Sequence, residues 1–392
     1  MLLSAALIIM TSLLLTQIFI KLKLPGLIGM LVSGIILGPY VLNLIDPSIL
    51  SLSTDLRQIA LIVILVRAGL SLDLKDLNEV GRPALLLSFI PATIEMIAII
   101  IFAPIFFQIS YIEAAILGAI VAAVSPAIVV PRVLKLMKTG YGKDKKIPQL
   151  ILASASIDDV YVIILFTSFI HAYTTSTFNL LTILLIPIAI ILGVLLGIII
   201  GSILVWIFKK FHIRDTLKVL IIFSAAFLLI VLEHILSNYV PVSGLLAVIV
   251  LGGTILKQYD LLAQRLVIKF EKIWVIAEIM LFVLVGAAVD IRVLSSVGLF
   301  AFILIMIAII FRMLGVIIAL IKSNLNNKEK LFVGFAYSPK ATVQAAIGAI
   351  PLALGIPSGH LILSIAVLAI LITAPFGAIM MDSSYLKLLK NS

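Results

Sequence analysis

Apolar residues along this chain neither alternate nor keep to one helical stripe. They gather into long runs parted by short polar stretches. Thirteen such runs start near positions 2, 25, 57, 83, 111, 147, 179, 217, 241, 272, 294, 328 and 358. A helix needs roughly 20 apolar residues to cross a bilayer, so each run is read as a span. The first, Leu2 to Ile20, has no charged segment ahead of it and is long for a signal peptide, so it counts as a retained span. The pattern predicts an all-α polytopic membrane protein of 13 transmembrane helices.

Composition agrees. The 392 residues are 63% hydrophobic and 12% charged, whereas a soluble chain is about half apolar and a quarter charged. The stretches left between runs are too short for a soluble domain. With no cysteine and four scattered histidines, a thiolate zinc site, a haem attachment motif, an iron–sulfur cluster and a disulfide framework are all excluded. No cofactor and no catalytic residue is expected. The net charge of +10 raises nucleic acid as a partner, and the loops answer that question. Of 28 Lys and Arg residues, 23 fall after odd-numbered runs, from Lys21 and Lys23 through Lys75 and Arg82 to Lys387 and Lys390. By the positive-inside rule those loops are cytoplasmic, with the N-terminus outside and the C-terminus inside. Membrane lipids are then the expected surroundings, and no nucleic acid is needed.

Three blocks recur at nearly constant offset. Pro25-Gly26-Leu27-Ile28 with Gly34 returns as Ser243-Gly244-Leu245-Leu246 with Gly252, and Leu61 to Asp73 returns as Met280 to Asp290, with Gly69 matching Gly286. Ser125-Pro126 returns as Ser338-Pro339. The offset amounts to seven spans, an odd number, so the copies have opposite topology. Inverted repeats of spans 1 to 6 and 8 to 13, joined by span 7, mark a secondary transporter. Spans 5 and 12 are interrupted at matching places, Val124-Ser125-Pro126 and Tyr337-Ser338-Pro339-Lys340. Proline removes a helical hydrogen bond and pushes the residue before it out of helical geometry. Free carbonyls at membrane depth are tolerated where they line a transport site. A plain kink is the simpler alternative, and the matched pair argues against it.

Ionisable residues inside the runs are Glu95, Asp158, Asp159, Glu233 and Glu278 against Arg67, Arg312 and Lys340. Each would cost about 3 kcal/mol unpaired, so each is a candidate for function. Asp158 and Asp159 stand out in the middle of span 6. Helical neighbours point about 100° apart, so one can hold a cation while the other pairs with a base. Burial and a like charge disfavour a bare carboxylate, leaving such a group to choose between a proton and a hard monovalent cation. Oxygen ligands suit Na⁺ and Li⁺, and Asp159, Asp158, the Val124 carbonyl, Ser125, Ser154 and Ser156 are the candidate ligands. Arg312 and Lys340 are the available counter-ions, and charge balance, with the family resemblance described below, sets Arg312 against Asp158 and Lys340 against Glu95. Arg67 is set against Glu278 or Glu233. The run Gly193-x3-Gly197-x3-Gly201 is a close-packing face, within the protomer or at a dimer contact.

The segments Ser125-Pro126-Ala127-Ile128-Val129-Val130-Pro131, Ser156-Ile157-Asp158-Asp159 and Pro339-Lys340-Ala341-Thr342-Val343-Gln344-Ala345-Ala346 resemble the monovalent cation/proton antiporters, most closely the NHA branch of sodium/proton exchangers, over nearly the whole chain. The resemblance implies a plasma-membrane homodimer whose protomers each have a scaffold and a six-helix core crossed by two broken helices. On that basis residues 1–82 are scaffold spans 1 to 3, 83–172 core spans 4 to 6, 173–293 the connector and scaffold spans 8 to 10, 294–385 core spans 11 to 13, and 386–392 a short cytoplasmic tail. Asp159 takes the role of ion and proton carrier and Asp158 that of a partner bonded to a base on span 11. Members with lysine on that span use it in proton coupling, and here the residue is Arg312; electroneutral relatives carry Asn where this chain has Asp158. The two substitutions leave stoichiometry open. The implied activity is Na⁺ or Li⁺ exchange for H⁺ by alternating access. The alternative is a K⁺/H⁺ antiporter or K⁺ efflux protein of the same fold, whose members usually append a soluble nucleotide-binding domain that the stretch after Met381 is too short to hold. An intramembrane aspartyl protease would want its acids on different helices, and organic-anion uptake would want a more polar cavity.

Overall fold

The computed structural model describes residues 1–71, 81–174, 180–236 and 242–390, with the side chains of residues 156, 180–187, 234, 294 and 295 outside the description. Asp73 and Lys75 lie outside the described residues, as does the side chain of Ser156. Among the described residues the regular structure is helical, with no β-strand.

The helices are α1 (Leu2–Lys21), α2 (Gly26–Leu37), α3 (Pro47–Ser51), α4 (Ser53–Leu70), α5 (Arg82–Leu87), α6 (Ile90–Phe107), α7 (Tyr111–Ala122), α8 (Pro126–Thr139) and α9 (Ile147–Thr174). There follow α10 (Leu180–Lys210), α11 (Asp215–Leu236), α12 (Gly244–Gln258), α13 (Asp260–Ala287), α14 (Ile291–Ala319), α15 (Asn327–Ala336), α16 (Thr342–Ile347), α17 (Ile350–Ala353) and α18 (Gly359–Leu388). Among the described residues eight stretches are long and apolar enough to cross a membrane, by length and composition. Gly26–Leu37, Gly244–Gln258 and Thr342–Ala353 are apolar but shorter. The remaining two predicted spans carry charge: α4 contains Asp55, Arg57 and Arg67, and α13 contains Glu271, Lys272 and Glu278.

The first helix shows how lipid inverts the usual amphipathic rule. It buries Ser4, Ile8, Ser12 and Thr16, four residues apart on one face, and exposes Leu2, Leu3, Met10 and Leu14. Small and hydroxylated residues let helices approach and bond, while leucine is at home in hydrocarbon. Accordingly Thr11 and Ser33 join α1 to α2 by a 2.6 Å hydroxyl bond.

The chain divides into two compact units. One is built within Met1–Arg57, Asp73–Val162 and Ile279–Ser392, the other within Gln58–Leu72 and Ile163–Glu278. In the first, α7 packs on α6, α6 on α14, and α18 on α14 and α15. A buried cluster including Val124, Val129, Phe332, Val333, Ala336 and Tyr337 surrounds the interrupted helices. The two half-helices start alike: Ser110 with Glu113 and Asn326 with Glu329 form capping boxes on α7 and α15, which satisfy the free amides of a helix start. Each cap also reaches another element, Glu113 Oε1 accepting from Ser358 Oγ at 2.7 Å and Glu329 Oε2 from Lys145 Nζ at 2.8 Å.

In the second unit α10 packs along α12. Gly193, Gly197 and Gly201 are the contact: added Cβ atoms would lie 2.7 Å from the Ser243 carbonyl oxygen, 2.6 Å from that of Ala247 and 2.8 Å from Thr254 Cβ. The glycine face is thus used within the protomer. Arg67 bonds Glu271 at 3.0 Å, which corrects its expected pairing with Glu278 or Glu233. The helix of Glu278 begins at Asp260, earlier than the apolar run implied, so Glu271 lies two turns before Glu278 on the same side of α13.

Candidate functional site

The site is built where two helices stop. Helix α7 ends at Ala122, Ala123 and Ser125 are extended, and α8 begins at Pro126. Proline suits that first helical position because its missing N–H is one that would go unbonded anyway. Across from it α15 ends at Ala336, and residues 338–341 are non-helical before α16 starts at Thr342. One main-chain bond joins the two interruptions, Ser125 N–H donating to the Pro339 carbonyl at 2.8 Å.

A helix that stops inside apolar surroundings leaves its last carbonyls without partners, and side chains from distant segments supply them here. Gln344 Nε2 faces the carbonyls of Ile120, Val121 and Ala123 at 3.0, 3.3 and 2.9 Å. The Ala122 carbonyl accepts from Arg312 Nη1, with Lys340 Nζ at 3.4 Å. Positive charge at this end also opposes the negative pole of the helix.

Arg312 is the hub. Its Nη2 lies 3.1 Å from both oxygens of Asp158, Nη1 is 2.8 Å from Glu95 Oε2, and Nε donates to the Tyr337 carbonyl at 2.6 Å. Lys340 Nζ binds the same Glu95 oxygen at 2.7 Å, and its backbone N–H donates to Thr373 Oγ1. Asp158 Oδ2 also accepts the Val124 N–H at 3.0 Å. All four charged groups are buried. Two carboxylates face two cations, so the network is neutral as it stands, which is how charges survive burial.

Asp159 stands outside that balance. It is half-buried, next to the sealed Asp158, and its Oδ1 is covered without a hydrogen-bond partner. Ser125 Oγ is likewise buried and unpartnered. The other expected ligands are engaged elsewhere or differently. Val124 offers its N–H to Asp158, where its carbonyl was the expected ligand. Ser154 Oγ donates to the Leu150 carbonyl of its own helix and accepts from Tyr337 OH. Among the described residues no group of three or more His, Cys, Asp or Glu gathers as a metal site. Two side chains of the network went unforeseen: Tyr337, whose OH donates to Ser154 and whose ring lies against the Arg312 guanidinium, and Gln344, the carbonyl cap. The latter had a signal in sequence, an amide at membrane depth four residues after Lys340.

Neutral charge networks beside paired helix interruptions, in a chain of apolar helices, define a multi-pass membrane transporter. A sequence profile described as "Sodium/hydrogen exchanger, transmembrane" matches residues 6–382. The chain is 35% identical over 378 residues to sodium/hydrogen exchanger 9B2 of Mus musculus, covering 91% of this chain and 67% of that one. Against sodium/hydrogen exchanger 9B1 of Homo sapiens it is 32% identical over 378 residues, covering 91% and 71%. The fold is similar to that of the sodium proton antiporter MjNhaP1 from Methanocaldococcus jannaschii at pH 8, with a TM-score of 0.82 at 20% identity, covering 98% of this chain and 97% of that one. The chain belongs to the sodium/hydrogen exchanger family, within the monovalent cation/proton antiporter superfamily. It is a membrane cation/proton antiporter, in a family of transporters rather than enzymes.

Proposed function

We propose that the protein exchanges Na⁺ or Li⁺ for H⁺, with both competing for Asp159. The observation that carries this reading is the surplus carboxylate: Asp158, Glu95, Arg312 and Lys340 balance one another, Glu95 holding both cations through Oε2 while its Oε1 is covered and unbonded, whereas Asp159 has a covered, unbonded oxygen and no ion pair among the described residues. Such an oxygen is satisfied by a proton or by a hard cation. Ser125 Oγ, also unpartnered, is the hydroxyl best suited to share the cation, whereas Ser154 is already bonded. Asp158 is a positioning group, held by Arg312 and the Val124 N–H. The transported ion is substrate, and no cofactor enters.

In this reading residues 83–172 and 294–385 form the moving core and the other spans the scaffold of a plasma-membrane homodimer, thirteen spans with the N-terminus outside. The close contacts of repeat-related glycines support the inverted repeat. A Cβ on Gly34 would lie 2.0 Å from the Val283 oxygen, and one on Gly286 2.2 Å from that of Leu31. In the other unit a Cβ on Gly69 would meet the Ile249 oxygen at 2.1 Å, and one on Gly252 the Val66 oxygen at 2.9 Å. Each first block of one copy thus packs on the second block of the other.

The test is proton flux in proteoliposomes with an imposed pH gradient, adding Na⁺, Li⁺ or K⁺, with Asp159→Asn as control. Collapse by Na⁺ and Li⁺ in the wild type only is the expected result. Collapse by K⁺ alone replaces Na⁺ with K⁺ as the cargo, and unimpaired exchange in folded Asp159→Asn removes the carrier assignment.

A further inference from the structure

We infer that the second unit carries a binding site for the phosphate of an anionic lipid headgroup, remote in sequence from the ion-exchanging acids. At the junction of α10 and α11 a cavity of about 510 Å³ is lined by Lys209, His212, Arg214, Lys218 and Arg265, with Asp215 as its one acid. That acid is shared. Lys218 Nζ is 3.3 Å from Asp215 Oδ1 and Arg265 Nε is 2.9 Å from Oδ2. Lys218 is only 5% exposed and lies over the Phe208 ring, so a buried ammonium has half a carboxylate to itself. Lys209 donates to the Gln258 carbonyl at 3.1 Å, which offers no full charge, and no acid is paired with Arg214 among the described residues. Four permanent cations against one anion leave room for a ligand of two negative charges. A buried cation lacking a full counter-charge is costly, and an entering phosphate supplies it.

The surroundings favour a lipid over a solute. Trp206, Phe211, Leu217 and Leu220 are exposed, and Tyr259 lines the cavity, the aromatic and aliphatic mixture of a headgroup-level belt. The loop lining the cavity, with Lys209 and Arg214, is one of the basic loops of the sequence, the kind of segment that attracts anionic lipid. None of these residues takes part in the network of Arg312 and Asp158.

The probe is dioctanoyl phosphatidic acid, titrated into the purified full chain while the thermal-unfolding midpoint is followed. Dioctanoyl phosphatidylcholine and inorganic phosphate run in parallel. A saturable rise with phosphatidic acid is expected, with Arg214→Gln and Lys218→Met each needing about tenfold more lipid for the same rise while keeping wild-type proton exchange. An equal rise with inorganic phosphate at equal concentration makes the ligand a soluble phosphate and removes the lipid assignment. An equal rise with phosphatidylcholine, or wild-type titration in the variants, overturns the site. Where Lys218→Met does not fold, the exposed Arg265→Gln takes its place beside Arg214→Gln.

Discussion

At the scale of single residues, the geometry separates the four charged groups that answer one another from Asp159, which stands outside them. Glu95 binds Arg312 and Lys340 through one oxygen, so Glu95→Gln leaves two buried cations short of charge, at a cost of about 3–5 kcal/mol. The thermal midpoint of the purified variant should fall accordingly. Glu95→Gln combined with Lys340→Met restores neutrality and should be less damaging than Glu95→Gln alone, because a removed pair costs less than a broken one. A double variant as unstable as the sum of the singles would mean the groups do not act together. Asp159 behaves differently. On the proposed reading a proton and a cation compete for this one carboxylate, so the apparent KM for Na⁺ should rise as pH falls, by about tenfold per unit on the acid side. In Asp159→Asn that dependence should vanish together with transport. Charge balance together with the family resemblance paired Arg312 with Asp158 and Lys340 with Glu95, and both contacts are present. It could not reveal that Arg312 also takes Glu95 and two carbonyls, since bonds to main chain leave no trace in composition.

At the scale of helices, the apolar runs were readable because lipid demands them, and the breaks because proline announces them. The paired capping boxes, Ser110 with Glu113 and Asn326 with Glu329, came to light only in the structure. What holds a stopped helix in place was not readable. Gln344 comes from a segment more than 200 residues away from the carbonyls it serves. Gln344→Leu removes the bonds and keeps the volume, leaving the carbonyls of Ile120, Val121 and Ala123 without that donor, at about 1–3 kcal/mol. A lower thermal midpoint and slower exchange are expected; unchanged values would mean that water does the work of the amide. Glycine gives a second test at this scale. Gly34→Ala forces a Cβ against the Val283 main chain and should destabilise, whereas Gly298→Ala meets nothing within 4 Å and should be neutral or gain up to about 1 kcal/mol from helix propensity.

For the whole molecule, the same economy governs both units: small residues where helices touch, and leucine and isoleucine on the faces turned outward. The cavity around Lys218 is lined by the loop that carries Lys209 and Arg214, one of the basic loops of the sequence. Activity reconstituted in phosphatidylcholine alone should therefore be compared with that in bilayers containing anionic lipid, with Arg214→Gln reporting whether the difference runs through that cavity.

The bond between Ser125 N–H and the Pro339 carbonyl has a consequence for descent. It is made by main chain on both sides, so nearly any residue at position 125 other than proline preserves it. The crossing can therefore persist while the side chains around it drift, and a lineage can exchange one cargo ion for another, or alter how many protons it trades, without first dismantling the frame on which that trade depends.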